Sequence, residues 1–234
     1  MIGICIPAHD EEQHIDRCLA SVICAAGHSG LDNETVTVVV VLDACTDRTA
    51  LRAQAWPVTR LAGAYRNVGL ARAAGARHLL EAGARWLAFT DADTVVSEAW
   101  LYHQLSLRTQ VVCGTVEVSG WSSHGHYAEL ARTAFLAQYQ DKEGHRHVHG
   151  ANLGIDANVY QQAGGFEALA CSEDQALVDK LVQTGASIAW TSLPRVSTSA
   201  RPVSRVADGF AAALRRAWPQ AEPATTFEAR TDPP

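Results

Sequence analysis

Carboxylates set two residues apart, just past an apolar strand, can both turn toward one divalent cation. The chain carries this arrangement at Asp91-Ala92-Asp93, after the apolar run Trp86–Thr90 and before a helical stretch. Hard cations such as Mg²⁺ and Mn²⁺ take oxygen ligands and keep positions open for water or phosphate. Taken alone, the same spacing also describes a helix cap beside a solvated acid. Two further acidic turns follow apolar strands: Pro7-Ala8-His9-Asp10-Glu11-Glu12 and Asp43-Ala44-Cys45-Thr46-Asp47. Singly, Asp10 and Asp47 read as helix caps. Jointly, three acidic loops at one sheet edge read as a metal–nucleotide site.

That joint reading depends on the elements that carry the loops. Ile2–Ile6 and Thr35–Leu42 are short apolar runs of the kind buried in parallel sheets. Helices are expected over Glu11–Ala26, with Asp10 at its cap, over Thr46–Ala55 and over Asn67–Ala82. This alternation predicts a doubly wound sheet, with ligands at the carboxyl ends of its strands. The second half is less regular. Helices are expected over Ser97–Leu107, Tyr127–Gln140, Ala157–Ala163, Glu173–Thr184 (capped by Ser172) and Val203–Trp218. Strands are expected over Val111–Val118, Ala151–Ile155 and Ile188–Thr191, and Pro219–Pro234 reads as a flexible tail.

Composition narrows the function classes. Hydrophobic residues make up 47% and charged residues 19%, so the chain is globular rather than disordered or fibrous. With 19 Lys+Arg against 25 Asp+Glu the net charge is −6, which argues against nucleic acid as a partner. No run approaches the roughly 20 apolar residues of a spanning helix. The first residues lack a leader's basic start, and the six scattered cysteines form no C-x-x-C pair, so reduced thiols and a cytoplasmic location are expected.

Taken in register, the motifs resemble glycosyltransferase family 2, the nucleotide-sugar enzymes of the GT-A fold. The resemblance rests on Pro7, His9, Asp10, Glu11 and Glu12, on Leu42-Asp43-Ala44-Cys45-Thr46-Asp47-Arg48-Thr49, on Arg66-Asn67-Val68-Gly69 with Ala73-Ala74-Gly75, and on Asp91 and Asp93. It continues through Gly150-Ala151-Asn152, Gly164-Gly165-Phe166 and Glu173-Asp174, so it spans roughly residues 2 to 190. Leu42 and Cys45 depart from the family's acid and serine.

The resemblance implies an α/β/α sandwich of GT-A type with a mostly parallel, Rossmann-like sheet. It implies one catalytic domain over 1–218, with residues 1–95 as the nucleotide half and 96–218 as the acceptor half. Pro7, Ala8, His9, Glu11, Asp43, Arg66, Asp91, Ala92 and Asp93 are then expected to meet the nucleotide sugar. Asp91 and Asp93 would hold Mg²⁺ or Mn²⁺, and Asp174, beside Glu173, would be the base. His149, Gly150, Ala151, Asn152 and Trp121 are expected to face the sugar or acceptor. The expected reaction is metal-dependent sugar transfer with inversion. The alternatives are a retaining enzyme of the glucosyl or mannosyl glycerate type and a degenerate nucleotide-binding protein; a nucleotidyltransferase ranks below these.

Three other features carry two readings each. His145, His147 and His149 alternate, which suits a metal cluster or, preferably, a polar edge. GT-A enzymes often add a late histidine to the metal shell, and none follows His149. Arg201 and Arg205 can clamp a diphosphate or sit in a solvated loop. Arg215-Arg216 reads as a solvated face or as a weak membrane-surface contact.

Overall fold

The computed structural model describes residues 1–203, 210–216 and 218. Its strands are β1 (Ile2–Ala8), β2 (Val36–Asp43), β3 (Thr59–Gly63), β4 (Trp86–Phe89), β5 (Val95–Val96), β6 (Val111–Ser119), β7 (Leu153–Asp156) and β8 (Ile188–Ser199). Its helices are α1 (Ile15–Ala26), α2 (Thr49–Ala53), α3 (Val68–Glu81), α4 (Trp100–Ser106), α5 (Ala128–Gln138), α6 (Ala157–Gln162), α7 (Glu173–Gln183) and α8 (Phe210–Arg215). All eight strands form one sheet in the order β3-β2-β1-β4-β7-β6-β8-β5. The β3-β2-β1-β4 half is parallel throughout, while β7 runs antiparallel to both β4 and β6.

Side-chain alternation along the strands builds a core on each face. Ile2, Ile4, Ile6, Val38 and Val40 point toward α1 and α4, where Ile15, Leu19, Val22, Trp100 and Leu101 are buried. Cys5, Val39, Val41, Leu87 and Phe89 point the other way, onto Ala71 and Leu79 of α3 and Leu177 and Val178 of α7. The result is the expected three-layer sandwich. No helix among the described residues is long and apolar enough to cross a membrane.

The structure departs from the sequence reading where local signals compete with tertiary bonds. α1 begins at Ile15 rather than Glu11, and Asp10 does not cap it. Asp10 instead adopts a left-handed backbone (φ 51) and turns to the neighbouring loop. Ser172 is also left-handed (φ 57) and makes no capping bond to α7. β3 was not foreseen in the sequence; its alternation is that of a half-buried edge strand only five residues long. β8 runs eight residues past the expected end, so Ser197–Ser199 pair with Glu117–Ser119 of β6 instead of forming a loop.

A bulge explains why β8 hides in the sequence. Between Thr191↔Gly114 and Val196↔Val116, five register steps on β8 face two on β6. Pro194 lies in that bulge, the one place where proline is tolerated away from a sheet edge. Of the expected helix Val203–Trp218, only Phe210–Arg215 is a helix among the described residues. Arg205 and the expected tail Pro219–Pro234 lie outside the described residues.

Candidate active site

β1 lies between β2 and β4, so the turns after these three strands share one rim. Asp43 and the Asp91-Ala92-Asp93 turn are separated by about two strand spacings, roughly 10 Å. The first two acidic turns are laced together. The Asp10 carboxylate accepts the amides of Thr46 (2.7 Å) and Asp47 (3.2 Å), and the Thr46 amide bond holds it below the usual carboxylate range. The Glu12 amide donates to Asp47 (3.0 Å), and the Glu11 amide donates to Thr49 Oγ1 (2.7 Å). Asp47 accepts the Thr49 amide at 2.9 Å in a turn just ahead of α2, whose N-cap position is Arg48, with no side-chain cap.

Asp43 is buried, and its two carboxylate oxygens accept the amides of Arg66 (2.8 Å) and Asn67 (3.1 Å). Each oxygen keeps a second lone pair for a ligand. His9 Nδ1 lies 2.6 Å from the Asp43 carbonyl, which fixes the imidazole over this corner. Arg66 has a left-handed backbone (φ 48) and an exposed side chain. Pro7, Ala8 and Ala92 are buried, so they shape the rim by backbone and bulk. The two family departures are absorbed quietly: Leu42 joins the core, and Cys45 Sγ donates to the Ala8 carbonyl at 3.2 Å.

Two arginines tie the acids together. Arg72, buried on α3, reaches Asp91 at 2.6 Å with one nitrogen and Glu173 with the other. Burial works against its charge, but Asp91 and Glu173 outweigh burial and keep the guanidinium charged. Arg201, just past β8, reaches Glu11 at 2.7 Å and Asp93 at 3.2 Å. Burial pushes the Asp93 carboxyl up to about 6; Arg201 opposes that rise, and the charges of Asp91 and Glu11 add to it. Glu11, Asp91, Asp93 and Glu173 against two guanidiniums leave two negative charges in excess.

That excess, and the all-oxygen donor set, fit a divalent cation that also takes phosphate and water oxygens. No group of three His, Cys, Asp or Glu able to hold a metal occurs among the described residues.

Glu173 and Asp174 separate in role. Burial raises the Glu173 carboxyl more than repulsion from Asp174 does, and Arg72 pulls it back. Asp174 stays partly open, with one oxygen accepting the Gly150 amide (2.7 Å) and the other its neighbour's, Gln175 (2.8 Å). Gly150 is required there, because a Cβ would land on the Arg72 guanidinium. Gly150 thus links Asp174 to the Arg72 bridge, and Asp174 to the Asp91 turn.

The remaining expected contacts are placed differently. Asn152 is buried with both amide N–H donors used: it accepts from Trp100 Nε1 (2.9 Å) and donates to the carbonyls of Thr115 (2.8 Å) and Pro194. Its bond to Pro194 ties it to the β8 bulge. Ala151 is buried beside it. Trp121 packs on Val118, Ala200 and Leu214, and its indole N–H donates to the Val118 carbonyl. His149 Nε2 lies 3.0 Å from the Tyr139 hydroxyl, which itself accepts the Val116 amide. Burial pushes His149 down to about 3, so its ring is neutral. His145, His147 and His149 stack in a ladder rather than converging on a metal.

Sequence reasoning passed over Arg72 and left Arg201 with two readings. An arginine set in the small-residue run Ala71-Arg72-Ala73-Ala74-Gly75 was the available signal for the first. Depth did not mark the site either. A hollow of about 580 Å³ lies on the outer side of α3, lined by Arg77, Glu81, Tyr160 and Phe166, and none of the rim acids lines it.

The family model for glycosyl transferase family 2 matches residues 3–163. The chain belongs to that family. No curated protein matches it in sequence. Among solved structures it is similar to the mannosyltransferase PcManGT from Pyrobaculum calidifontis in complex with GDP-Man and Mn²⁺. That pair has TM-score 0.63 and 17% identity, covering 84% of this chain and 56% of that one. It is also similar to S. aureus TarS 1–349 in complex with UDP-GlcNAc, with TM-score 0.62 and 15% identity, over 87% of this chain and 60% of that one. A third likeness is to glucosyl-3-phosphoglycerate synthase from Mycobacterium tuberculosis with Mn²⁺ and UDP-glucose. There the TM-score is 0.53 and the identity 18%, over 85% and 71% of the two chains. The fold is therefore GT-A, and this family-2 chain spans little more than half the length of the first of these structures.

Proposed function

We propose that this transferase moves a sugar from a nucleoside diphosphate to an acceptor hydroxyl with inversion, using a divalent cation at Asp91 and Asp93. The observation that carries the reading is the Arg72 bridge. It brings the Asp91 turn to the first turn of α7, where Asp174 stands oriented by the Gly150 amide. Residues 1–95 serve the donor, and 96–218 the acceptor.

His9, the Asp43 corner and Arg66 bind the nucleoside, and Glu11 closes its inner side. Asp91 and Asp93 hold the cation, which supplies positive charge to the departing diphosphate. Asp174 takes the acceptor's proton as that oxygen bonds the anomeric carbon and the bond to the diphosphate breaks. Two backbone donors already fix the Asp174 carboxylate, so no reorganisation precedes proton transfer. Glu173, committed to Arg72, holds the frame.

The test is a thermal-shift screen of nucleoside diphosphates and nucleotide sugars with Mg²⁺ or Mn²⁺, followed by a transfer assay on the donors that bind. At least one nucleotide raises the melting temperature only when the ion is present. Binding of every donor without turnover points instead to a degenerate binding protein. The absence of any nucleotide binding overturns the reading.

A further inference from the structure

Arg201 pairs with Asp93, one of the two acids proposed above to hold the cation. Its guanidinium spans two loops, reaching Glu11 beside the nucleoside corner (2.7 Å) and Asp93 in the metal turn (3.2 Å). Both acids are nearly sealed from solvent, at 5% and 7% side-chain exposure, while Arg201 keeps 29%. We propose that Arg201 is a built-in counter-ion that holds the cation position until a nucleoside diphosphate arrives. Metal and nucleotide then bind as a coupled pair. This rests on the transferase reading above for the identity of the anion.

The argument is one of charge. A divalent ion and a guanidinium at one buried carboxylate repel each other strongly in a poorly screened site. A metal ion arriving alone must therefore expel Arg201 and leave its guanidinium without the acids that now hold it. A metal ion arriving with a diphosphate brings a new anion for the released guanidinium, which can grip phosphate oxygens through paired N–H donors. The arginine's position favours such an exchange. It follows the last pairing of β8, where the Ala200 amide still donates to the Ser119 carbonyl (2.7 Å), so its stem is anchored and only its head need turn. β8 and the residues after it bring Thr198 and Arg201 to Asp93.

The test measures Mn²⁺ binding to the full chain by the electron paramagnetic resonance of the free ion, without and with UDP or GDP. Wild type should bind Mn²⁺ at least about tenfold tighter with the diphosphate than without it. Arg201→Gln should bind Mn²⁺ alone about tenfold tighter than wild type and lose most of the enhancement. Arg201→Lys keeps the charge but reaches one acid at a time, and should fall between the two. It also serves if the glutamine variant melts early. Equal Mn²⁺ affinity of wild type with and without a bound diphosphate, or no gain in either variant, overturns the proposal. Failure of both nucleotides to bind any of the three proteins counts against the transferase reading instead; Mn²⁺ alone still tests the counter-ion.

Discussion

The two sides of the sheet treat polar groups in opposite ways. At the rim of β1, β2 and β4, acids outnumber the arginines that face them, and Asp93 is held far from its ordinary ionisation. At the β7 end of β6 and β8, two polar side chains are neutral and bonded within the protein. Asn152 uses both amide N–H donors and accepts from Trp100, and His149 sits uncharged against Tyr139. Under-compensated charge marks the region that waits for a ligand. Neutral side chains bonded to the protein's own groups mark the region that holds its shape. Asp174 stands at the boundary, with its carboxylate oriented by backbone amides but still partly open.

This contrast can be broken most forcefully at Asp174. Asp174→Asn keeps an oxygen for one of the two orienting amides, loses the other bond and removes the proton acceptor. Turnover should fall by about 10²- to 10⁴-fold with nucleotide affinity preserved. Steady-state kinetics beside a nucleotide titration checks this, and unchanged turnover would move the base elsewhere. Next in size is Arg72→Met, which strands Asp91 and Glu173. We expect about 3 kcal/mol of lost stability in urea unfolding. Adding a divalent ion should restore part of it, because the ion replaces some of the missing charge.

Asn152→Ala sharpens the comparison from the other side. It leaves Trp100 Nε1 and the carbonyls of Thr115 and Pro194 without partners, at a cost of about 2 kcal/mol. Nucleotide affinity at permissive temperature should not change. A specific loss of affinity with stability intact would return Asn152 to the binding site.

The smallest effect is pH-dependent. The native His149 pKa, about 3, lies below the ordinary 6.5, so the unfolded chain binds the proton more readily. The stability that neutral His149 contributes is complete above pH 6.5 and is lost as pH falls toward 3. Between pH 6.5 and about 5.5 the loss is on the order of 1 kcal/mol. His149→Gln should flatten that slope in melting curves, and an unchanged slope would show that another group carries it.

The same contrast decides what could be read in advance. The donor side follows strand-turn-helix units in which each acid sits within a few residues of a strand end. Local pattern was enough to place Asp43, Asp91 and Asp93 on one rim. The partners of those acids come from far along the chain: Arg72 lies 101 residues from Glu173, and Arg201 lies 190 from Glu11. No spacing rule links them. The acceptor side escaped for a related reason. The β8 bulge breaks alternation around Pro194, so the strand read as ending at Thr191 and its continuation read as a loop. The family resemblance implied a sugar or acceptor contact at Asn152, and the partners its amide has in the fold, Trp100, Thr115 and Pro194, all lie at least 37 residues away. Asp10 and Ser172 show the limit of capping rules, since both carry the right side chain and adopt left-handed backbones that aim it elsewhere.

The most direct measurement is calorimetric titration of a nucleoside diphosphate, with Mn²⁺ present, into wild type and into the Asp91→Asn, Asp93→Asn double variant. The account predicts saturable, ion-dependent binding to wild type and its loss in the folded variant. Equal affinity of the two proteins, or binding that ignores the ion, would contradict it.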